Sequence, residues 1–214
     1  MLIRSFRSFA NKLSDRNRTK KYNFFMSFFK PAGETKILDV GASENEYQEN
    51  ANIIEKKYKY PENITVLGVE HFNEFSKRYP KVRIVEYGGG HFPFNDKEFD
   101  ICWSNAVLEH VKPGEGRERF IKEIHRTAKA AFVTTPNRHF PFEVHTRLFL
   151  IHWFPKKIFD KILEKTSNGW ATGDYMNLMT YRDIVKLLEK CGIKKYKIVK
   201  NRILLFIVDF VIIF

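Results

Sequence analysis

Residues Ile37-Leu38-Asp39-Val40-Gly41-Ala42-Ser43 carry the first chemical signal of this 214-residue chain. A short apolar strand encloses a carboxylate, which burial penalises unless it finds a partner. The strand then stops at a glycine. Such an ending brings bare backbone N–H groups up to a ligand, as nucleotide sites do at the carboxyl ends of parallel strands. A core strand followed by an ordinary turn would read the same way in isolation. The second signal is Ile64-Thr65-Val66-Leu67-Gly68-Val69-Glu70, another apolar strand closed by an acid. A carboxylate at the tip of a neighbouring strand can accept both hydroxyls of a ribose.

A third run follows: Phe92-Pro93-Phe94-Asn95-Asp96-Lys97-Glu98-Phe99-Asp100-Ile101-Cys102-Trp103-Ser104-Asn105-Ala106-Val107-Leu108-Glu109-His110. It resembles the class I S-adenosylmethionine-dependent methyltransferases that carry the pattern LPF-x-D-x-x-FD-x-x-x-S-x-x-VLEH. The three signals stand in the family's order, over roughly residues 35 to 135. The resemblance implies a Rossmann-like, doubly wound α/β domain with a seven-stranded sheet and an antiparallel last strand. It also implies S-adenosylmethionine as cofactor and S-adenosylhomocysteine as product. Gly41, Ala42 and Ser43 would wrap the methionine part, and Asp39 would orient that loop. Glu70 would hold the ribose, with His71 beside the adenine. Gly88, Gly89, His91 and Phe92 would border the adenine side, and Asn105 the methionine and the acceptor.

Two positions depart from the family pattern. Ser43 stands where a second loop glycine is common, which narrows backbone freedom. Gly88 stands where an aspartate usually accepts from the adenine amino group. Backbone groups of Gly88 or Gly89, or the His91 ring, would have to substitute. A weak or inactive relative, acting as a basic membrane- or RNA-associated module, is the competing reading.

Methyl transfer from a sulfonium is an in-line displacement, so positioning the acceptor is the main requirement. A hydroxyl acceptor profits from a general base. His110, His145 and Glu143 are the candidates. His110 also reads as a histidine satisfied by a backbone partner. Some relatives complete a metal site with a glutamate three residues before Glu109; here that residue is Ala106, and no metal is expected. A nicotinamide enzyme would need G-x-G-x-x-G after the first strand, and this chain has Gly-Ala-Ser-Glu-Asn-Glu from Gly41.

The elements that must position these residues follow from periodicity. Helices are expected at 2–13 and 17–29, strands at 35–40, 64–70, 82–87, 99–104, 130–135, 193–200 and 206–213. Helices are also expected within 45–58, near 73–78 and within 114–129, and from the Thr180–Asp183 capping box to Lys190. Alternating strands and helices predict one doubly wound domain. Residues 1–30 form a basic helical segment packed on it, and 31–214 the domain itself. Residues 136–179, with a helix-like stretch over Leu148–Lys165, insert after strand five at the cofactor edge, where acceptor specificity resides.

Composition adds bounds. Apolar residues make up 43% and phenylalanine 21 positions, enough for a core and an aromatic-lined acceptor pocket. Cys102 and Cys191 make no disulfide framework or zinc pattern. The net charge is +12, and residues 1–21 hold seven basic residues against Asp15. That stretch reads as a helix packed on the domain, a segment on an anionic membrane surface, or an organelle presequence. The apolar run Ile203–Phe214 is too short for a bilayer helix, which needs ~20 residues, and fits a strand covered on both faces. The expectation is a cytoplasmic, membrane-peripheral enzyme acting on a small-molecule, lipid or glycan acceptor, with O-methylation favoured and nucleic acid disfavoured.

Overall fold

The computed structural model describes residues 2–46, 49–143, 146, 148–203 and 205–214, with the backbone alone for residues 2–10 and for Asp174. Its seven strands are β1 (Ile37–Val40), β2 (Ile64–Gly68), β3 (Arg83–Glu86), β4 (Phe99–Asn105), β5 (Ala128–Pro136), β6 (Lys197–Ile203) and β7 (Phe206–Ile213). They form one sheet in the order β3-β2-β1-β4-β5-β7-β6. β1 runs parallel to β2 and β4, and β2 to β3. β7 is antiparallel to both β5 and β6. This is the expected doubly wound α/β sheet, with the apolar C-terminal run as an inserted, covered strand. Every residue of β1 and β2 is buried, as continuous apolar strands in parallel sheets are.

The chain divides into two compact units: residues 1–89 with 99–103, and residues 90–98 with 104–214. The first unit holds α1 (Leu2–Phe29), α2 (Ile53–Lys57) and α3 (Asn73–Arg78). The two expected N-terminal helices are one helix. No Gly or Pro interrupts the run between them. Asp15 accepts from the Asn50 backbone N–H at 3.1 Å. The end of α1 is anchored by Phe25, which is fully buried and meets Trp103 of β4 edge-on at 5.1 Å. Among the described residues between β1 and β2, α2 alone is α-helical, much shorter than the 45–58 window.

The second unit holds α4 (Glu115–Thr127), α5 (Lys156–Leu163) and α6 (Tyr181–Lys190). Phe120, Ile121 and Ile124 form the buried face of α4. α6 opens on the reciprocal capping box of Thr180 and Asp183. The helix-like 148–165 stretch is broken at Pro155, which leaves a 3₁₀ turn at Ile151–Trp153 ahead of α5. A proline ring cannot be accommodated in a helix interior but suits its first positions. Leu148, Ile151 and Leu178 pack on a small core of Phe159, Leu163, Ala171 and Met176. Among the described residues, no helix is long and apolar enough to cross a membrane.

Candidate active site

In the first unit the site grows from the end of β1. Gly41 has φ +96°, a left-handed backbone that side chains resist. Its N–H donates to the Leu67 carbonyl at 3.0 Å, which ties the turn to β2. Ser43 does not loosen the loop. Its N–H donates to Asn52 Oδ1 at 3.0 Å, and Asn52 Nδ2 donates back to the Ser43 carbonyl at 2.8 Å. Ser43 Oγ donates to the Asn45 carbonyl at 2.9 Å. Asn52 itself sits at φ +49°. The amide clamp of Asn52 thus does what a second glycine's freedom does elsewhere: it sets the path after Ala42.

Glu70 stands exposed two residues past β2. Its Oε2 accepts from the Glu44 N–H at 3.2 Å, which places the acid against the Gly41 loop. Glu44 continues the chain of contacts, accepting from the Glu74 and Phe75 N–H groups at 2.6 and 3.0 Å at the start of α3. Burial would raise the Glu44 carboxyl, but these N–H groups and Arg78 outweigh it and hold it below the usual range. His71 Nδ1 lies 2.8 Å from Glu86 Oε2, and the Phe72 N–H donates to Glu86 Oε1 at 3.1 Å. The carboxylate missing at Gly88 therefore has a neighbour at the end of β3. Gly68 makes room for this arrangement: a Cβ there would lie 2.4 Å from the Phe72 ring.

Asp39 and Glu55 form a buried carboxyl pair. Both Glu55 oxygens lack a hydrogen-bond partner among the described residues. Burial first, and then the Glu55 charge, push the Asp39 carboxyl well above its usual range; burial raises Glu55 as well. Two carboxylates so placed cannot both ionise, so they retain a proton. Raised values mean the folded state holds protons more tightly than the unfolded chain. The pair therefore costs no stability below the unfolded carboxyl range, near ~4, and destabilises progressively as pH rises through the folded values. Glu55→Gln should raise stability by roughly 1–3 kcal/mol at neutral pH, and much less in acid. Thermal unfolding across pH checks this; a variant with the wild-type pH slope contradicts it.

In the second unit, Asn105 Oδ1 accepts from Thr134 Oγ1 at 2.8 Å. Ala106 follows at φ +59° and donates its N–H to the Thr134 carbonyl at 3.1 Å. A non-glycine residue held in this region is a strained position of the kind concentrated at functional sites. Glu109 is fully buried and its Oε2 accepts from Thr135 Oγ1 at 3.1 Å. His110 Nδ1 lies 2.8 Å from the Tyr175 carbonyl, with the two rings 4.9 Å apart. His91 Nδ1 lies 3.2 Å from Glu123 Oε2, which also accepts from the Phe92 N–H at 2.8 Å. Burial would raise Glu123, but Arg126 and Phe92 hold it below the usual range. Glu143 is buried and its Oε2 accepts from the Thr146 N–H and Oγ1 at 2.5 and 2.7 Å, closing its own turn. His145 lies outside the described residues. Among the described residues no group of three or more His, Cys, Asp or Glu is placed to hold a metal ion.

Asn52, Glu55, Glu44 and Glu86 have no motif in the sequence. Only the polar type of Asn52 before a short helix, and the acid closing β3, hinted at roles.

Residues 38–131 match the family model of the methyltransferase domain. That stretch, somewhat under half of the chain, is similar to a methyltransferase domain. The match spans β1 through β5 and so includes both the Gly41 loop and the Asn105–His110 stretch. The methyltransferase fold also recurs among solved structures. An S-adenosylmethionine-dependent methyltransferase from Aquifex aeolicus is 14% identical with a TM-score of 0.56, each chain covering 96% of the other. A methyltransferase from Thermotoga maritima, described as a possible histamine N-methyltransferase, is 13% identical with a TM-score of 0.56, over 92% of this chain and 87% of that one. The N-terminal domain of EvdMO1, with S-adenosylhomocysteine bound, is 15% identical with a TM-score of 0.52, over 92% and 79%. No curated protein sequence matches the chain. In a methyltransferase domain the Gly41 loop and Glu70 would hold the cofactor's methionine and ribose, and the cofactor supplies an activated methyl group. The exposed Glu70 carboxylate and the glycine-led turn at its side fit that use.

Proposed function

We propose that the chain transfers the methyl group of S-adenosylmethionine to an oxygen of a small-molecule, lipid or glycan acceptor. The observation that carries this reading is the Glu70 carboxylate fixed against the Gly41–Ser43 loop, inside the segment matched by the methyltransferase family. His110 and Glu143, both engaged with backbone groups, then act by holding the acceptor's surroundings, and positioning supplies most of the rate. The test is transfer of labelled methyl from S-adenosylmethionine into small-molecule, lipid and glycan fractions, with the methylated atom read by mass spectrometry. Label on nitrogen or carbon overturns the O-methylation part. Cofactor binding with no label in any fraction favours the second reading, a cofactor-binding relative without catalysis, which the glycine at position 88 motivates.

A peripheral contact with anionic membrane through residues 1–21 belongs to the same proposal. Lys12, Arg16 and Lys20 are exposed at four-residue spacing along α1, a basic row on one face. Binding to anionic vesicles should fall steeply with salt, because exposed charges are screened. Replacing all three by Glu should abolish it while cofactor affinity is unchanged. Vesicle sedimentation checks this; no binding at low salt contradicts it.

A further inference from the structure

The second unit contains a cavity of about 260 Å³ lined by Arg117, Arg138, His152, Lys156, Phe159 and Asp183, among others. It lies within the segment that follows β5, and Arg117 links it to the strand ends. The Arg117 side chain donates through Nε to the Leu108 carbonyl at 3.3 Å and through Nη2 to the Asn177 carbonyl. Asn177 N–H in turn donates to the Glu109 carbonyl at 2.9 Å. The cavity therefore borders the stretch after β4, on the carboxyl side where this fold places its chemistry.

Its charge is unbalanced. Three cations face one carboxylate, and Asp183 Oδ2 is already committed to the Thr180 N–H and hydroxyl at 2.8 Å each. Lys156 is paired with Asp160. The Arg138 guanidinium has no hydrogen bond or ion pair among the described residues, and Nη1 of Arg117 has none either. Planar guanidinium groups on a partly desolvated wall suit a phosphate or carboxylate. His152 lines the same cavity. It is 94% buried, and its Nε2 lies 2.7 Å from the Phe140 carbonyl, so Nε2 must carry hydrogen. Nδ1 is buried with no partner among the described residues. Burial holds the imidazole below its usual range despite the Phe140 and Arg138 carbonyls beside it.

We propose that this cavity is an oxyanion site that takes the phosphate or carboxylate of a small ligand, the anion on Arg138 and Arg117. On the methyltransferase reading above, on which this part rests, that group belongs to the methyl acceptor. The volume lies below the ~300–1,000 Å³ of drug-sized sites, so the cavity holds a small molecule or one end of a larger one.

Calorimetry of the full chain at fixed ionic strength tests it, with inorganic phosphate and glycerol 3-phosphate as probes. Saturable binding of both is expected. Arg138→Gln should weaken both roughly tenfold or more, the scale of one charged hydrogen bond. Lys156→Gln, on a half-exposed side chain, serves if Arg138→Gln fails to fold. Phosphatidic acid vesicles competing better than glycerol 3-phosphate would assign the anion to a lipid headgroup. No saturable binding, or binding indifferent to both Arg138→Gln and Lys156→Gln, overturns the site. S-adenosylhomocysteine is titrated into the same samples. If it binds and phosphate does not, only the cavity assignment falls; if phosphate binds and it does not, the acceptor assignment falls with the methyltransferase reading.

Discussion

Glu70→Ala is expected to weaken S-adenosylhomocysteine binding by about 1.5–3 kcal/mol, roughly 10- to 150-fold, the range for hydrogen bonds to a charged group. Glu70 is exposed, so its loss spares the core. It does release the Glu44 N–H, at 3.2 Å, and the loop would gain some freedom. Glu70→Gln separates the two effects. The amide oxygen can still accept from Glu44 but cannot take both ribose hydroxyls, so it should recover the loop and little of the affinity. Calorimetry on both variants checks this. Equal affinities for wild type and Glu70→Ala would remove Glu70 from the cofactor site.

Phe25→Ala is expected to cost about 3–5 kcal/mol of stability, the usual loss for a fully buried aromatic. Phe25 has no exposed surface, and its contacts with Trp103 at 5.1 Å and Phe29 at 5.2 Å would be replaced by a void. At ~2–4 °C per kcal/mol for a chain of this size, the melting temperature should fall by roughly 6–20 °C. A fall of that size makes α1 part of the folded unit. An unchanged melting temperature would make it an appendage, and the membrane-surface reading of residues 1–21 would gain ground.

β1, β2, β3 and β5 were legible because each is a short run rich in apolar residues ended by Gly, an acid or Pro, and the antiparallel inserted strand was what the family resemblance implied; β6, the mixed run KIVKNRI, lies at Lys197–Ile203 and not at the expected 193–200. The turn after β1 and the acid after β2 were legible for the same reason: Gly41 and Glu70 sit just past strand ends, where local sequence sets position. Polar partners distant in sequence were not legible. Asn52 clamps Ser43 across nine residues, and Glu86 meets His71 across fifteen. Nothing in the local pattern announces either, because the contact exists only after the strands pair. The same limit hid the buried partner of Asp39: Glu55 reads as an ordinary helix acid until α2 packs inward. His110 shows the opposite case. Its sequence setting allowed a base or a histidine held by a backbone partner, and the fold gives its Nδ1 the Tyr175 carbonyl, a partner 65 residues away. Over Leu148–Lys165 the aromatics and lysines suggested a helix-like stretch, and Pro155 divides it into a 3₁₀ turn and α5.

The central claim is that the loop after β1 and the acid after β2 hold S-adenosylmethionine. Titrating S-adenosylhomocysteine, and separately NAD, into the purified chain tests it most directly. Saturable binding of S-adenosylhomocysteine is expected, lost in large part in Glu70→Ala, with no binding of NAD. Failure to bind S-adenosylhomocysteine in a folded sample, or binding of NAD in its place, would contradict the account.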